Sequence, residues 1–261
     1  MADVLQSSLP ISPWSDPRLS RLPGILPLDP AEWILVDDAY AGQMVLRDAL
    51  IAERREEVLR LDPGAVVAAE EVLDLVLAAV AVLPGFEVGP ESVRRPDGVR
   101  VVLDRADPLA TAARLVQEDL CLMQQVGAEH VLTGAVLCFP ASWTLAEKFM
   151  RPLIGIHDPI PSYDPDVARR VQRLFDAIRP ERPLWRANAH TWDEPTLFAP
   201  RAEADPRPKA ARPAPFLRSE RQCLLRLPGS GAVVFSIHTF MVRAADLTPE
   251  QRASLDLRER A

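Results

Sequence analysis

Lysine is almost absent from this 261-residue chain: of its 30 lysine and arginine residues, only Lys148 and Lys209 are lysines. Its basic chemistry is therefore that of arginine, which is permanently charged and forks onto carboxylates, and so suits pairing better than proton transfer. A genome rich in G and C produces the same bias, with the arginines taken up in surface pairs. Glycine is also scarce, at 11 residues, which excludes a flexible Gly/Ser chain. The three cysteines, Cys121, Cys138 and Cys223, are odd in number, widely spaced and set in apolar runs. That pattern excludes a disulfide framework and a C-x-x-C metal site, and reads as reduced core thiols in a cytoplasmic protein. The longest apolar stretch, Val72 to Leu83, is broken by Asp74 and is too short to span a bilayer. Met1 to Trp14 has no basic region followed by an apolar core, so no secretory signal is expected and no membrane partner either. The signatures G-x-x-x-x-G-K-S/T, G-x-G-x-x-G, H-E-x-x-H and G-x-S-x-G are missing, so phosphate cradling, a dinucleotide fold, a zincin site and a nucleophile elbow have no support. With 30 basic against 37 acidic residues the net charge is −7, which argues against a nucleic-acid partner.

Proline, by contrast, is abundant at 26 residues, and 48% of the chain is hydrophobic, enough for a substantial core. Pro10, Pro13, Pro17, Pro23, Pro27 and Pro30 make residues 1–33 an extended arm, with Trp14 and Trp33 as anchors. Helical periodicity follows over Gly42 to Leu61, over Ala65 to Leu83 and over Pro108 to Glu118. Leu120 to Val126 and His130 to Phe139 read as an antiparallel hairpin turning at Gly127-Ala128-Glu129. A helix is expected around Leu145 to Pro152, then a Pro-rich loop, His157-Asp158-Pro159-Ile160-Pro161. Asp164-Pro165 opens a further helix that runs to Arg179-Pro180. Strands are predicted at Leu184 to Trp192, Leu217 to Leu227 and Ala232 to Val242, the last two flanking Pro228-Gly229-Ser230-Gly231. Residues 199–215 read as a surface loop, and Thr248-Pro249-Glu250-Gln251 as a capping box opening a C-terminal helix. No internal repeat is present. The expected fold is α+β: a PAS-like antiparallel sheet with a helical insert, in the order ββ-ααα-βββ, plus an N-terminal helical layer. The expected organisation is an arm (1–33), a helical layer (34–118), the core (119–243) and a C-terminal helix (244–261), all in one compact unit.

Four histidines can carry chemistry. His130 opens a strand, and His190 and His238 lie within strands. His157 follows the apolar Leu153-Ile154-Gly155-Ile156 and precedes two prolines that bracket Ile160, so its backbone is stiff and its surroundings keep the imidazole neutral, as ligation requires. On spacing alone it reads either as a metal ligand or as a hydrogen-bonded core histidine. In the strand Phe216 to Leu227, Arg218, Glu220 and Gln222 point to one face, and Arg221, Cys223 and Leu225 to the other. A carboxylate beside a guanidinium stays ionised and can orient a cationic substrate, or it can simply be a salt bridge.

Several segments together resemble the haem-dependent oxidative N-demethylase family. They are Gln117 to Met123, Trp143 with Lys148, Ile156-His157-Asp158-Pro159-Ile160-Pro161, Arg186-Ala187-Asn188, and Arg218-Ser219-Glu220-Arg221-Gln222 through Arg226-Leu227-Pro228. The resemblance covers roughly residues 25–243. After the asparagine, where that family more usually has tryptophan, this chain has Ala189. The resemblance implies a PAS-like fold and haem b (iron) held in its cavity by one axial histidine. Dioxygen would be activated on the open side, using electrons from a separate flavin and iron–sulfur reductase. The N-methyl group of a small amine substrate would be hydroxylated to a carbinolamine that collapses to formaldehyde and the smaller amine. It implies His157 as metal ligand, Arg186, Asn188 and Arg221 with His157 as cofactor-binding residues, and Glu220 and Arg218 as catalytic residues. Histidine ligation leaves a sixth position open, and distal polarity then decides what happens to oxygen. A non-catalytic PAS-like sensor of haem or a small ligand is the alternative. A metal hydrolase built on His157-Asp158 is weaker, because no further ligands stand at helical spacing.

Overall fold

The computed structural model describes residues 4–20, 24–157, 165–208 and 210–260. The Pro-rich loop after His157, the Asp164 cap and Lys209 lie outside the described residues. The described part of the arm packs over the sheet with its two tryptophans buried, but it is not extended throughout: the N–H groups of Ser15 and Asp16 donate to Ser12 O and those of Leu19 and Ser20 to Asp16 O, folding this stretch into turns, and Pro30–Glu32 form a short 3-10 helix. Trp14 Nε1 donates to Ser254 Oγ and Trp33 Nε1 to Ser236 Oγ, each at 2.9 Å. Within the arm, β1 (Leu26–Pro27) becomes an edge strand.

The single helix expected over residues 42–61 is instead α1 (Tyr40–Glu53), α2 (Arg55–Val58) and a short strand, β2 (Leu59–Leu61). Arg54, at φ −129°, leaves helical geometry, and Leu59 to Leu61 pair with Val136 to Gly134, covering a sheet edge that would otherwise present unpaired backbone groups. A Cβ at Gly134 would meet Leu61 Cδ1 at 2.8 Å, so a larger residue there displaces the Leu61 side chain. Helix α3 (Val66–Val80) follows its pattern, burying Val72, Leu73, Val76 and Val80 and leaving Asp74 exposed to pair with Arg105. Residues 87–102, for which no element is expected, form a small antiparallel sheet of β3 (Glu87–Val88), β4 (Ser92–Arg94) and β5 (Arg100–Val102). Buried Arg95 pins this sheet to Asp97 (2.6 Å) and Asp48 (3.0 Å). Helix α4 (Pro108–Ala113) stops short of Glu118, because the side chains of Gln117 and Glu118 are drawn into a buried polar network.

The core begins with β6 (Asp119–Val126) and β7 (Glu129–Val136), which turn at Gly127 with φ +63°. Helix α5 (Leu145–Lys148) ends earlier than expected. Met150 adopts φ +61° and its N–H donates to Leu132 O (2.9 Å), tying the chain back to β7. Then come α6 (Leu153–His157), α7 (Pro165–Ala177), β8 (Leu184–Trp192), β9 (Phe216–Arg226), β10 (Val233–Arg243) and α8 (Pro249–Arg260). The capping box forms: Gln251 N–H donates to Thr248 Oγ1, and Thr248 N–H to Gln251 Oε1. Arg226 closes the C-terminal end of α7, donating to Phe175 O (2.5 Å) and Ile178 O (2.6 Å).

The seven-stranded antiparallel sheet has the order β1-β8-β9-β10-β6-β7-β2. One face carries Leu120, Leu122, Val136, Val234 and Leu225 against α3 and its neighbours, continuing into Leu217, Ala189 and Phe240 beneath Leu9 and Trp14 of the arm. The other face carries Cys121, Met123, Leu132, Leu224 and Val233 against Leu145, Leu153 and Phe175 of α5, α6 and α7. The three cysteines are free and buried. Each fully buried Leu or Val contributes about 1.5–3 kcal/mol. Among the described residues no helix is long and apolar enough to cross a membrane.

A polar clasp joins the arm to the first face. His238 Nδ1 meets Glu118 Oε1 and its Nε2 meets Asp37 Oδ2, both at 3.0 Å. Gln117 and Gln6 donate to the same Asp37 carboxylate, and Gln6 also pairs with the backbone of Met241. Burial alone would depress the His238 pKa, but the hydrogen bonds and charges of Asp37 and Glu118 outweigh it and hold the value at about 9. The folded value exceeds the unfolded value of roughly 6.5, so the stabilisation is complete below the unfolded value and is lost as pH rises through about 9. His238→Gln is expected to lower unfolding stability by about 3 kcal/mol at pH 7 and to flatten the fall of stability between pH 7 and 9.5. Urea unfolding across that range checks both.

Candidate functional site

Strand alternation and cross-strand register build one polar surface. Arg186 lies opposite Gln222, Asn188 opposite Glu220, and His190 opposite Arg218, while on the far side of β9 Thr239 lies opposite Glu220 and Ile237 opposite Gln222. Paired positions share a face, so Arg186, Asn188, Glu220, Gln222 and Thr239 crowd onto the side of the sheet that α5 to α7 cover. Next to them the wall is apolar: Leu224 and Phe235 on the sheet, Phe149 and Ile156 from the insert.

Glu220 sits at the centre with its side chain 12% exposed. Its Oε2 accepts from Gln222 Nε2 (3.1 Å) and Asn188 Nδ2 (3.3 Å), and Arg218 Nε lies 3.4 Å from Oε1. Arg218 is buried and spends its other nitrogens on backbone, Nη2 on Phe139 O (2.5 Å) and Nη1 on Leu197 O (3.1 Å), with the guanidinium over the Trp192 ring. Phe139 is itself held by Asp119, which accepts from the N–H of Cys138 and of Phe139 and pairs with fully buried Arg47 at 2.9 Å. Burial pushes the pKa of Arg218 and of Arg186 below the ordinary value, and the attraction of Glu220 only partly offsets it.

Among the described residues nine buried side-chain nitrogen and oxygen atoms have no hydrogen-bond partner. Three of them, Arg186 Nε, Asn188 Oδ1 and Thr239 Oγ1, belong to residues on the Glu220 face, and a fourth, Arg218 Nε, has only its 3.4 Å ion contact with Glu220. Native proteins pair nearly all such atoms with protein groups, ordered water or a ligand, which makes this cluster the candidate site.

The remaining residues singled out in the sequence are placed elsewhere. Arg221 is on the opposite face, as its odd position along β9 requires. It donates to Glu32 O (2.7 Å) and Trp33 O (3.1 Å), with its guanidinium over Trp185, so it fastens the arm and is not brought to the Glu220 side. His238 has both ring nitrogens engaged in the clasp. His190 is exposed at the sheet's end. His130 is buried beneath α7, Nδ1 beside Gln172 Nε2 (2.9 Å), and burial lowers its pKa. His157 is the last residue of α6, and the carbonyl just before it, Ile156 O, accepts from Lys148 Nζ at 2.6 Å. Buried Lys148 is neutralised by Glu203 (2.6 Å), which joins α5 and the end of α6 to the loop around residue 203. Among the described residues no cluster of three metal-ligating side chains is present.

Sequence reading missed Thr239, the clamp role of Lys148 and the Arg47–Asp119 pair. Thr239 had a usable signal, since it follows Ile237 at a spacing of two on a strand already recognised.

An antiparallel sheet covered by a helical insert thus carries a desolvated and incompletely paired polar cluster beside an apolar wall. The family described as haem-dependent oxidative N-demethylase, alpha subunit-like, matches residues 24–259, and the chain belongs to it. A comparison with curated proteins gives no match.

The residues present fit a haem-dependent family. The apolar wall of Leu224, Phe235, Phe149 and Ile156 offers a surface for a flat hydrophobic group, and the orphaned Arg186 Nε lacks the anion that a carboxylate-bearing group supplies. Arg221→Met is expected to lower stability by about 2 kcal/mol by leaving two carbonyls unpaired, with hemin uptake unchanged. Chemical unfolding and a hemin titration of the same variant check this, and weakened uptake would bring Arg221 back to the site.

Proposed function

We propose that this chain is the haem-carrying subunit of an oxidative N-demethylase that acts on a small N-methylated amine. The family assignment supports a haem-dependent, oxidative, multi-component system. The observation that carries the reading to a substrate is the Glu220 carboxylate, ringed by donors on a face that also holds unpartnered atoms. A protonated secondary amine has two N–H groups. Glu220 accepts one and Asn188 Oδ1 accepts the other, which places the amine carbon against the apolar wall.

In this reading the core is PAS-like, haem b lies between the sheet and α5 to α7, and His157 is its axial ligand by virtue of the I-H-x-P-x-P element. Lys148, through Ile156 O, fixes the backbone that carries that histidine. When bound, haem supplies dioxygen activation. For each turnover one O₂, two protons and two electrons from a separate reductase would convert the N-methyl amine to formaldehyde, the demethylated amine and water. The chain's own residues hold and orient. Glu220 keeps the nitrogen end charged and fixed, Arg218 holds Glu220 in place, and the insert keeps water from the reacting methyl group. Acidic, arginine-rich surroundings and reduced thiols are consistent with a cytoplasmic setting.

Protein loaded with hemin is expected to show a Soret band that shifts on dithionite reduction and again with carbon monoxide, and His157→Ala to lose or alter it. Supplied with a reductase and O₂, the protein should release formaldehyde from an N-methyl amine, and Glu220→Gln should lower kcat/KM roughly 30- to 100-fold. A loaded protein that binds amines without turnover would be a sensor instead.

A further inference from the structure

Arg186 and Glu220 carry opposite charges on one face, yet among the described residues they do not form an ion pair. Their register explains why. Arg186 is opposite Gln222, one same-face step along β9 from Glu220, so the two stand on a diagonal. Positions on such a diagonal lie about 7–8 Å apart. Glu220 is claimed by Asn188, Gln222 and Arg218, while Arg186 Nε is buried without a partner. A guanidinium and a carboxylate near enough to attract each other but not in direct contact suit a ligand that bears both complementary charges.

From this geometry, and resting on the demethylase reading above, we infer that the substrate class is a zwitterion: an N-methyl α-amino acid whose carboxylate pairs with Arg186 and whose secondary ammonium is held by Glu220 and Asn188 Oδ1. One carbon separates the two charges in such a ligand, so each end can make a charge-assisted hydrogen bond to one of two side chains that are same-face diagonal neighbours. A simple dialkylamine fills only the Glu220 end and leaves the Arg186 Nε orphaned. Discrimination is then large, because a buried polar group left unpaired penalises the wrong ligand. Gln222, opposite Arg186 in register, already donates to Glu220.

The carboxylate at Arg186 has two possible sources, the substrate and a haem propionate, and calorimetric titration of the full chain separates them. N-methylglycine and dimethylamine are titrated into haem-loaded and haem-free protein, for wild type, Arg186→Gln, Arg186→Lys and Glu220→Gln, with hemin uptake measured alongside. N-methylglycine is expected to bind wild type at least tenfold more tightly than dimethylamine. Arg186→Gln should abolish that preference without weakening dimethylamine, Arg186→Lys should restore part of it, and Glu220→Gln should weaken both ligands. Equal or tighter binding of dimethylamine to wild type overturns the inference while leaving the demethylase intact. An Arg186→Gln variant that loses hemin uptake but keeps the preference assigns the carboxylate to a propionate and also overturns it. Protein that takes up no hemin yet prefers N-methylglycine through Arg186 removes the demethylase reading and keeps the zwitterion receptor.

Discussion

The Asp119 carboxylate is the point from which the candidate site is suspended. It is wholly buried, and it is tolerated there because Arg47 and the N–H groups of Cys138 and Phe139 all donate to it. Those two amides belong to the segment leaving β7, so the carboxylate sets where Phe139 stands. The carbonyl of Phe139 then receives Arg218, and Arg218 in turn flanks Glu220. Charge is thus handed across the sheet from an N-terminal helix to a C-terminal strand in four steps, each a hydrogen bond or ion contact of definite direction. Every link except the last uses groups that would be costly to leave unmade inside the protein, which makes the position of Glu220 a property of the core more than of the surface around it.

This arrangement also accounts for part of the arginine excess. Arg47, Arg95, Arg218, Arg221 and Arg226 lie partly or wholly within the structure and each reaches two or more acceptors, backbone carbonyls among them. A lysine ammonium lacks the planar, pre-organised fork that lets a guanidinium take two or more acceptors with separate nitrogens. The described lysine, Lys148, is used at a spot where one carbonyl and one carboxylate converge from different directions.

Much of this was legible beforehand. The bounds of β8, β9 and β10 were readable because alternation continues for nine or eleven residues and the Pro228-Gly229-Ser230-Gly231 turn separates the last two. Alternation also set Arg221 on the face away from Glu220, and the structure keeps it there. Strands of two or three residues were not legible, because β2 to β5 are too short to show any period and exist only through their partners. The helical pattern running through Gln117 and Glu118 misled for a related reason. Those side chains answer to Asp37, His238 and Leu35, residues far away along the chain, and tertiary demand overrides local preference. The orphaned atoms on the Glu220 face belong to this last kind: the residues were visible, but their lack of partners could be seen only once the strands were paired.

The clasp makes covering the first face of the sheet a late and cooperative event. Gln6 bonds the backbone of Met241, Trp33 bonds Ser236, and Trp14 bonds Ser254, contacts between residues far apart along the chain. Contacts of such long sequence separation close late in folding. Until they do, Leu217, Ala189 and Phe240 lack the cover of Leu9 and Trp14, so releasing the arm and wetting that face are one and the same opening.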